Sequence, residues 1–243
     1  MTSTPTSLPS PSKPRPAART DALYSPGLSV FYGQADVSRL AHAWFLRALQ
    51  RGRRAGPGQD RGVLFLDGAN RFDPLLVARF ARRTGREPRW FNERIRVARA
   101  FTCFQLTELI VRAPRMLTLT KNTSATTEKF PAGLVVLTAL PELYYDEDVR
   151  EAEAAASFRR ALIALREFAA VNPGAPPEAS LAVGVFTDAP SFITPRRRFF
   201  RQLAAQAHRV WQIWRREDGT PVFRPVRRPF LMPQRHTRPL RPV

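Results

Sequence analysis

Five short apolar runs, each followed by a stretch with helical spacing, restrict this chain to a narrow range of architectures. They are LSVFY (28–32), GVLFLD (62–67), RIRVA (94–98), GLVVLT (133–138) and LAVGVFT (181–187). Strands separated by helices in this way form a mainly parallel sheet wrapped by helices, which predicts an α/β fold. The intervening patterns are specific. Val37, Leu40, Ala41, Trp44, Phe45, Ala48 and Leu49 follow the i, i+3, i+4, i+7 stripe of a helix packed on one face. In RFDPLLVARFARRTG, Asp73 is placed to cap a helix, Pro74 to open it and Gly85 to stop it. Residues 149–171 form an amphipathic helix with acids in its first turn. Near the end, two strand-like runs within 208–226 meet at Asp218-Gly219, a hairpin signal.

The chain's 243 residues suit one such domain. Residues 1–27, rich in Pro and Ser, read as a disordered arm. The folded domain is expected over 28–233, followed by a basic Pro/Arg-rich tail over 234–243. No internal repeat is visible.

A formal charge of +19 points to an acidic partner, with nucleic acid first, because binding a polyanion releases its counterions. Only Lys13, Lys121 and Lys129 are lysines; the remaining basic residues are arginines, which hold phosphate in bidentate fashion and stack on bases. A coding bias toward arginine is the alternative source of that preference. A single cysteine, Cys103, excludes an internal disulfide and a cysteine-based metal cage, and suits a reducing cytoplasm. The three histidines, His42, His208 and His236, lack metal-ligand spacing. No run is apolar enough for a membrane span, and none suggests a signal peptide.

YGQADVSRL (32–40) has the outline of a strand, a glycine turn and a helix that binds phosphate. A working phosphate loop ends in Gly-Lys-Ser/Thr, so that the lysine reaches the outer phosphates and the hydroxyl holds magnesium. Gly33 takes the first position, but Ser38, Arg39 and Leu40 occupy the last three. Arg39 is the one residue there able to contact an anion; its alternative is a solvated arginine at a helix start.

VLFLDGANRFDPLLVARF, IRVARAFTCFQLTELI, LVVLTALPELYYDED and LAVGVFTDAP stand in the order and approximate spacing of the RecA/RadA recombinase ATPase core, which the chain resembles over roughly residues 28–233. VARAFTCFQLTEL is similar to the Ala-Arg-Ala-aromatic run with a downstream Gln in archaeal and eukaryotic recombinases. The terminal hairpin and RRPFLMP resemble that family's last strands and the proline-bearing segment after them. The resemblance implies a RecA-like three-layer core with a C-terminal β-hairpin. It also identifies the family's catalytic positions, each of which is replaced. The catalytic glutamate falls on Ala69, two residues after Asp67; the magnesium-organising aspartate falls on Thr138; the Asn-Gln sensor falls on Asp188 and Ala189. With Leu40 in place of the loop hydroxyl, the groups that position and neutralise a transferring phosphoryl group are missing.

Two loops bind DNA in that family. The first corresponds to YYDEDVREAE, whose Asp146, Glu147, Asp148, Glu151 and Glu153 would repel a phosphate backbone. The second corresponds to SFITPRRRFFRQLAAQA, where Arg196, Arg197, Arg198 and Arg201 surround Phe199 and Phe200. Arginines beside aromatics suit single-stranded DNA; the alternative is a basic helix start with two buried rings. The expectation is a catalytically inactive RecA-like accessory protein of bacterial DNA repair or recombination, similar in kind to the ImuA and SulA types. It would act in the cytoplasm without a cofactor, metal or membrane. Its partners would be DNA, preferably single-stranded, and a recombinase or translesion polymerase component. The alternatives are an unorthodox NTPase using Arg39 and a non-enzymatic protein-interaction scaffold.

Overall fold

The computed structural model describes residues 24–33, 37–54, 62–118, 121–123, 126–128, 132–170, 181–190 and 196–226. The bulk of the Pro/Ser-rich arm, the loop residues 34–36, RRPFLMP and the basic tail lie outside the described residues.

The strands of the main sheet are β1 (Gly27–Gly33), β2 (Gly62–Asp67), β3 (Ile95–Arg99), β6 (Ala132–Thr138), β7 (Ala182–Asp188), β8 (Arg209–Arg215) and β9 (Pro221–Pro225). Two short strands, β4 (Lys121–Thr123) and β5 (Thr126–Glu128), pair as a separate antiparallel hairpin. The helices are α1 (Val37–Arg54), α2 (Pro74–Arg83), α3 (Pro88–Asn92), α4 (Cys103–Thr118), α5 (Glu151–Phe168) and α6 (Arg198–Gln206). A 3-10 turn covers Glu142–Tyr145.

The main sheet has seven strands in the order β3-β2-β6-β7-β1-β8-β9. All neighbours run parallel except β8 and β9, which form the antiparallel hairpin expected at Asp218-Gly219. Gly219 supplies the positive φ of that turn, and the Asp218 carboxylate accepts from Thr220 N.

Central strands bury both faces, so each needs helices on both sides. Odd and even residues of one strand feed different cores. Val30, Leu64, Leu66, Val135, Leu137, Val183 and Val185 face α4, α5 and α6. Phe31, Val63, Phe65, Leu134, Val136 and Phe186 face α1, α2 and α3. The result is three layers, with the sheet between two helical ones.

The α1 stripe predicted from spacing is the buried face, with Ala41 and Phe45 fully enclosed and the Trp44 ring tilted against Phe31 and Phe186. The start of α2 is also as expected. The Asp73 carboxylate accepts from Leu75 N (2.8 Å) and Leu76 N (3.3 Å), with Pro74 in the first turn; such a cap contributes about 1 kcal/mol. Gly85 follows at φ +66°.

The domain begins earlier than residue 28. Tyr24, assigned to the arm by its proline-rich surroundings, stacks on Trp44 at 5.6 Å, and the Arg51 guanidinium lies over the same ring. Arg209 donates to the carbonyls of Ser25 and Pro26. These contacts join the segment before β1 to α1 and β8.

Candidate functional site at the carboxyl edge of the sheet

Because the strands run parallel, the last residues of β1, β2, β3, β6 and β7 gather along one edge: Gly33, Asp67, Arg99, Thr138 and Asp188. In open parallel sheets, ligands bind outside this edge. Gly33, Thr138 and Asp188 end strands that lie side by side, and Asp67 ends the next one.

Gly33 has a structural reason of its own. A Cβ built there would lie 2.0 Å from the Ile213 carbonyl oxygen of β8, so no other residue fits the strand pairing. Its carbonyl accepts from Ala189 N at 2.9 Å, which ties the end of β1 to the chain leaving β7. Beyond it, Ser38 lies in the first turn of α1, and Leu40 is buried in the core between α1 and the sheet. Arg39 is exposed, and its side chain lines a groove between α1 and α2.

Asp67 is fully buried, and both of its oxygens are engaged by the protein. Oδ1 accepts from Arg71 N (3.0 Å) and from Thr138 Oγ1 (3.1 Å), while Oδ2 accepts from Phe72 N (2.9 Å). Arg99 Nε stands 3.7 Å from Oδ2. Thr138 Oγ1 in turn accepts from Ala69 N at 3.3 Å. The loop after β2 presses on β6 so closely that a Cβ at Gly68 would lie 2.7 Å from the Thr138 carbonyl oxygen. Asp67, Ala69 and Thr138 thus form one hydrogen-bonded hub that shapes the β2–α2 loop. His42 extends it: buried on α1, its Nε2 accepts from Asp73 N at 2.9 Å.

Sequence reading gave no role to Glu142, a carboxylate between a proline and an apolar pair within LVVLTALPELYYDED. The 3-10 turn after β6 carries it to the end of β7, where Oε1 accepts from Thr187 Oγ1 (2.7 Å) and Asp188 N (2.6 Å). Its second oxygen, Oε2, is buried without a hydrogen-bond partner. Burial pushes the Glu142 carboxyl up to about 7, against the lowering effect of these donors. Burial also raises the neighbouring Tyr145 hydroxyl, and Glu142 adds to that. A carboxyl that changes charge near neutrality at the carboxyl edge is able to hold or release a proton there.

The basic run 196–201 is tied to the acidic loop that precedes α5. Arg196, at φ +57°, donates from Nη1 to the carbonyls of Tyr144 (3.1 Å) and Asp146 (2.6 Å), and from Nη2 to that of Val149. Arg198 pairs with Glu151 at 2.5 Å. Arg197 is half-buried and Arg201 exposed on α6. Phe199 and Phe200 are 1% and 9% exposed, so the buried alternative holds and base stacking by these rings is ruled out. Phe199 packs on Phe158 at 4.7 Å and Phe200 on Tyr32 at 5.0 Å. An amphipathic α6 lays its apolar side on the sheet and on α5, and Arg198, Arg201 and Gln202 are on its exposed side. The repulsive loop and the attractive one of the sequence reading are thus neighbours that partly neutralise each other.

Among the described residues no group of three or more His, Cys, Asp or Glu side chains is placed to hold a metal ion. His208 Nδ1 accepts from Leu28 N at 3.0 Å, and Cys103 is a buried thiol whose pKa burial raises. Among the described residues no helix is long and apolar enough to cross a membrane. No model of a known protein family matches the chain, and no curated protein matches it either.

Proposed function

We propose that the chain is a RecA-like core that has lost phosphoryl-transfer chemistry and serves as a non-catalytic, nucleic-acid-binding accessory in DNA repair or recombination. Support for the RecA-like part comes from convergence. The positions that the resemblance identifies as phosphate loop, metal carboxylate and sensor are Gly33, Thr138 and Asp188, and they end three adjacent strands. A phosphate-transfer site requires such convergence on one edge.

The observation that carries the loss of catalysis is the state of Asp67. It is the one strand-end carboxylate remaining beside those positions on the β2–β6 side, and both its oxygens are occupied by Arg71 N, Phe72 N and Thr138 Oγ1. A carboxylate saturated by protein donors does not organise a magnesium shell or orient a water. Leu40, where the loop hydroxyl would stand, faces the core.

The purified protein, incubated with ATP or GTP and magnesium, with and without single-stranded DNA, is expected to show no turnover above buffer. One observation favours a second reading, an unorthodox NTPase: the unpartnered Oε2 of Glu142 beside Asp188. Magnesium-dependent turnover that disappears in Glu142→Gln would replace the first reading with the second.

A further inference from the structure

The connection from β6 to α5 is held against the rest of the fold by two fastenings. The first is Glu142, whose Oε1 accepts from Thr187 Oγ1 (2.7 Å) and Asp188 N (2.6 Å) at the end of β7. The second is Arg196, whose guanidinium donates to the carbonyls of Tyr144, Asp146 and Val149. Both act on residues 142–149, so release of the first bears on the second.

Neither fastening is relaxed. Ala139, where the chain leaves β6, has φ +58°, and Arg196 has φ +57°. Left-handed backbone at residues other than glycine persists only where surrounding contacts impose it. Among the described residues, two buried polar atoms of this turn also lack a hydrogen-bond partner, Glu142 Oε2 and the Tyr145 hydroxyl. A carboxylate at Glu142 has donors for one oxygen only, so the docked turn tolerates the acid better than the anion. Burial acts in that direction, as does the charge of Asp188, while the donors on Oε1 act against it. The other ionisable groups around the turn are Tyr145 within it, the exposed Asp146 after it, Cys103 of α4 beside Tyr144, and Arg196 itself.

We infer that residues 142–149 form a proton-operated clamp. With Glu142 protonated, the turn stays docked on β7 and its carbonyls hold Arg196; loss of that proton to solvent undocks the turn and frees the Arg196 guanidinium within the basic run. The clamp sets when this arginine is available, whatever the run binds.

Hydrogen exchange read by mass spectrometry on the full chain, from about pH 5.5 to about pH 8.5 and corrected for intrinsic exchange, measures the clamp. In the docked turn the amides of Leu143, Tyr144, Val149 and Asp188 are hydrogen-bonded. The undocked carboxyl ionises near 4.5 and the docked one at about 7, so undocking becomes about thirtyfold more frequent over that range. The amides of β6 and β7 stay much better protected than the turn throughout. Glu142→Gln, which cannot ionise, shows no such change. Thr187→Val removes a donor that favours the ionised form and moves the transition to higher pH. Arg196→Ala lowers protection of the turn even at acid pH, where the wild-type turn is docked. A turn as well protected as the core at alkaline pH, or one pH profile shared by wild type and Glu142→Gln, would overturn the clamp. If Glu142→Gln does not fold by circular dichroism, an unmoved transition in Thr187→Val overturns it instead. Unchanged acid-side protection in Arg196→Ala would show that the turn does not hold the arginine.

Discussion

Replacing Glu142 by glutamine removes one ionisable group from the carboxyl edge while keeping its shape. Oε1 of the variant still accepts from Thr187 Oγ1 and Asp188 N, and the side chain no longer ionises. In the wild type, burial raises this carboxyl from 4.5 to about 7, with nearby Asp188 a minor contributor in the same direction. A raised folded-state value means that the folded chain holds the proton more tightly than the unfolded chain. The associated stability is therefore present in full below about 4.5, declines as pH rises, and is gone above about 7. At about 1.4 kcal/mol per pH unit, the gap amounts to about 3 kcal/mol. The glutamine variant escapes this loss, so it matches wild type near the acid end and exceeds it by up to about 3 kcal/mol above neutrality. For a domain of this size that corresponds to roughly 6–12 °C in melting temperature. Urea or thermal melts of both proteins from the acid side of 4.5 to the alkaline side of 7 measure the difference directly. A wild-type-minus-variant difference that stays flat over this range would show that Glu142 is not the buried, proton-holding group described.

Asp67→Ala strands two backbone N–H groups, the Thr138 hydroxyl and Arg99, and should lower stability by about 3–5 kcal/mol, read as a fall in denaturation midpoint; an unchanged midpoint would mean the hub does not hold the β2–α2 loop. Gly33→Ala drives a methyl group into the Ile213 carbonyl and should exceed the roughly 4 kcal/mol that marks exceptional single substitutions, so soluble expression with a wild-type melting curve would contradict the register of β1 on β8. Phe199→Ala opens a cavity beside Phe158 and Tyr144 and should cost about 3–5 kcal/mol in thermal or urea melts, while oligothymidylate affinity below the melting transition stays at the wild-type value.

The parts of this fold that were legible in the sequence are those governed by local rules. LSVFY, GVLFLD, RIRVA, GLVVLT and LAVGVFT lie within or next to observed strands, with ends displaced by at most one residue. The Asp73-Pro74 start, the Gly85 stop and the Asp218-Gly219 turn are cap and turn chemistry that acts within a few residues. The short α3 and the β4–β5 hairpin escaped because each is too brief for a hydrophobic period to register.

The candidate site was legible only as positions. Sequence order brings Asp67, Thr138 and Asp188 to strand ends, yet what each does depends on partners 31 to 71 residues away, such as Thr138 on Asp67 and Asp73 N on His42. Spacing alone also cannot distinguish a ring that stacks on a base from one that packs on Phe158, since both readings put Phe199 on the same helix. The burial of Glu142 arises from a turn that folds back against β7, and its separation from Thr187 along the chain hides it from any local pattern. Arg39 illustrates the difference most clearly. The sequence offered it as the relic loop's one anion contact or as a solvated arginine at a helix start; on α1 it is exposed and lines the groove between α1 and α2, to which Arg79 and Arg83 also contribute. The same helical period that made α1 predictable thus sets its first arginine on the wall of the groove between α1 and α2.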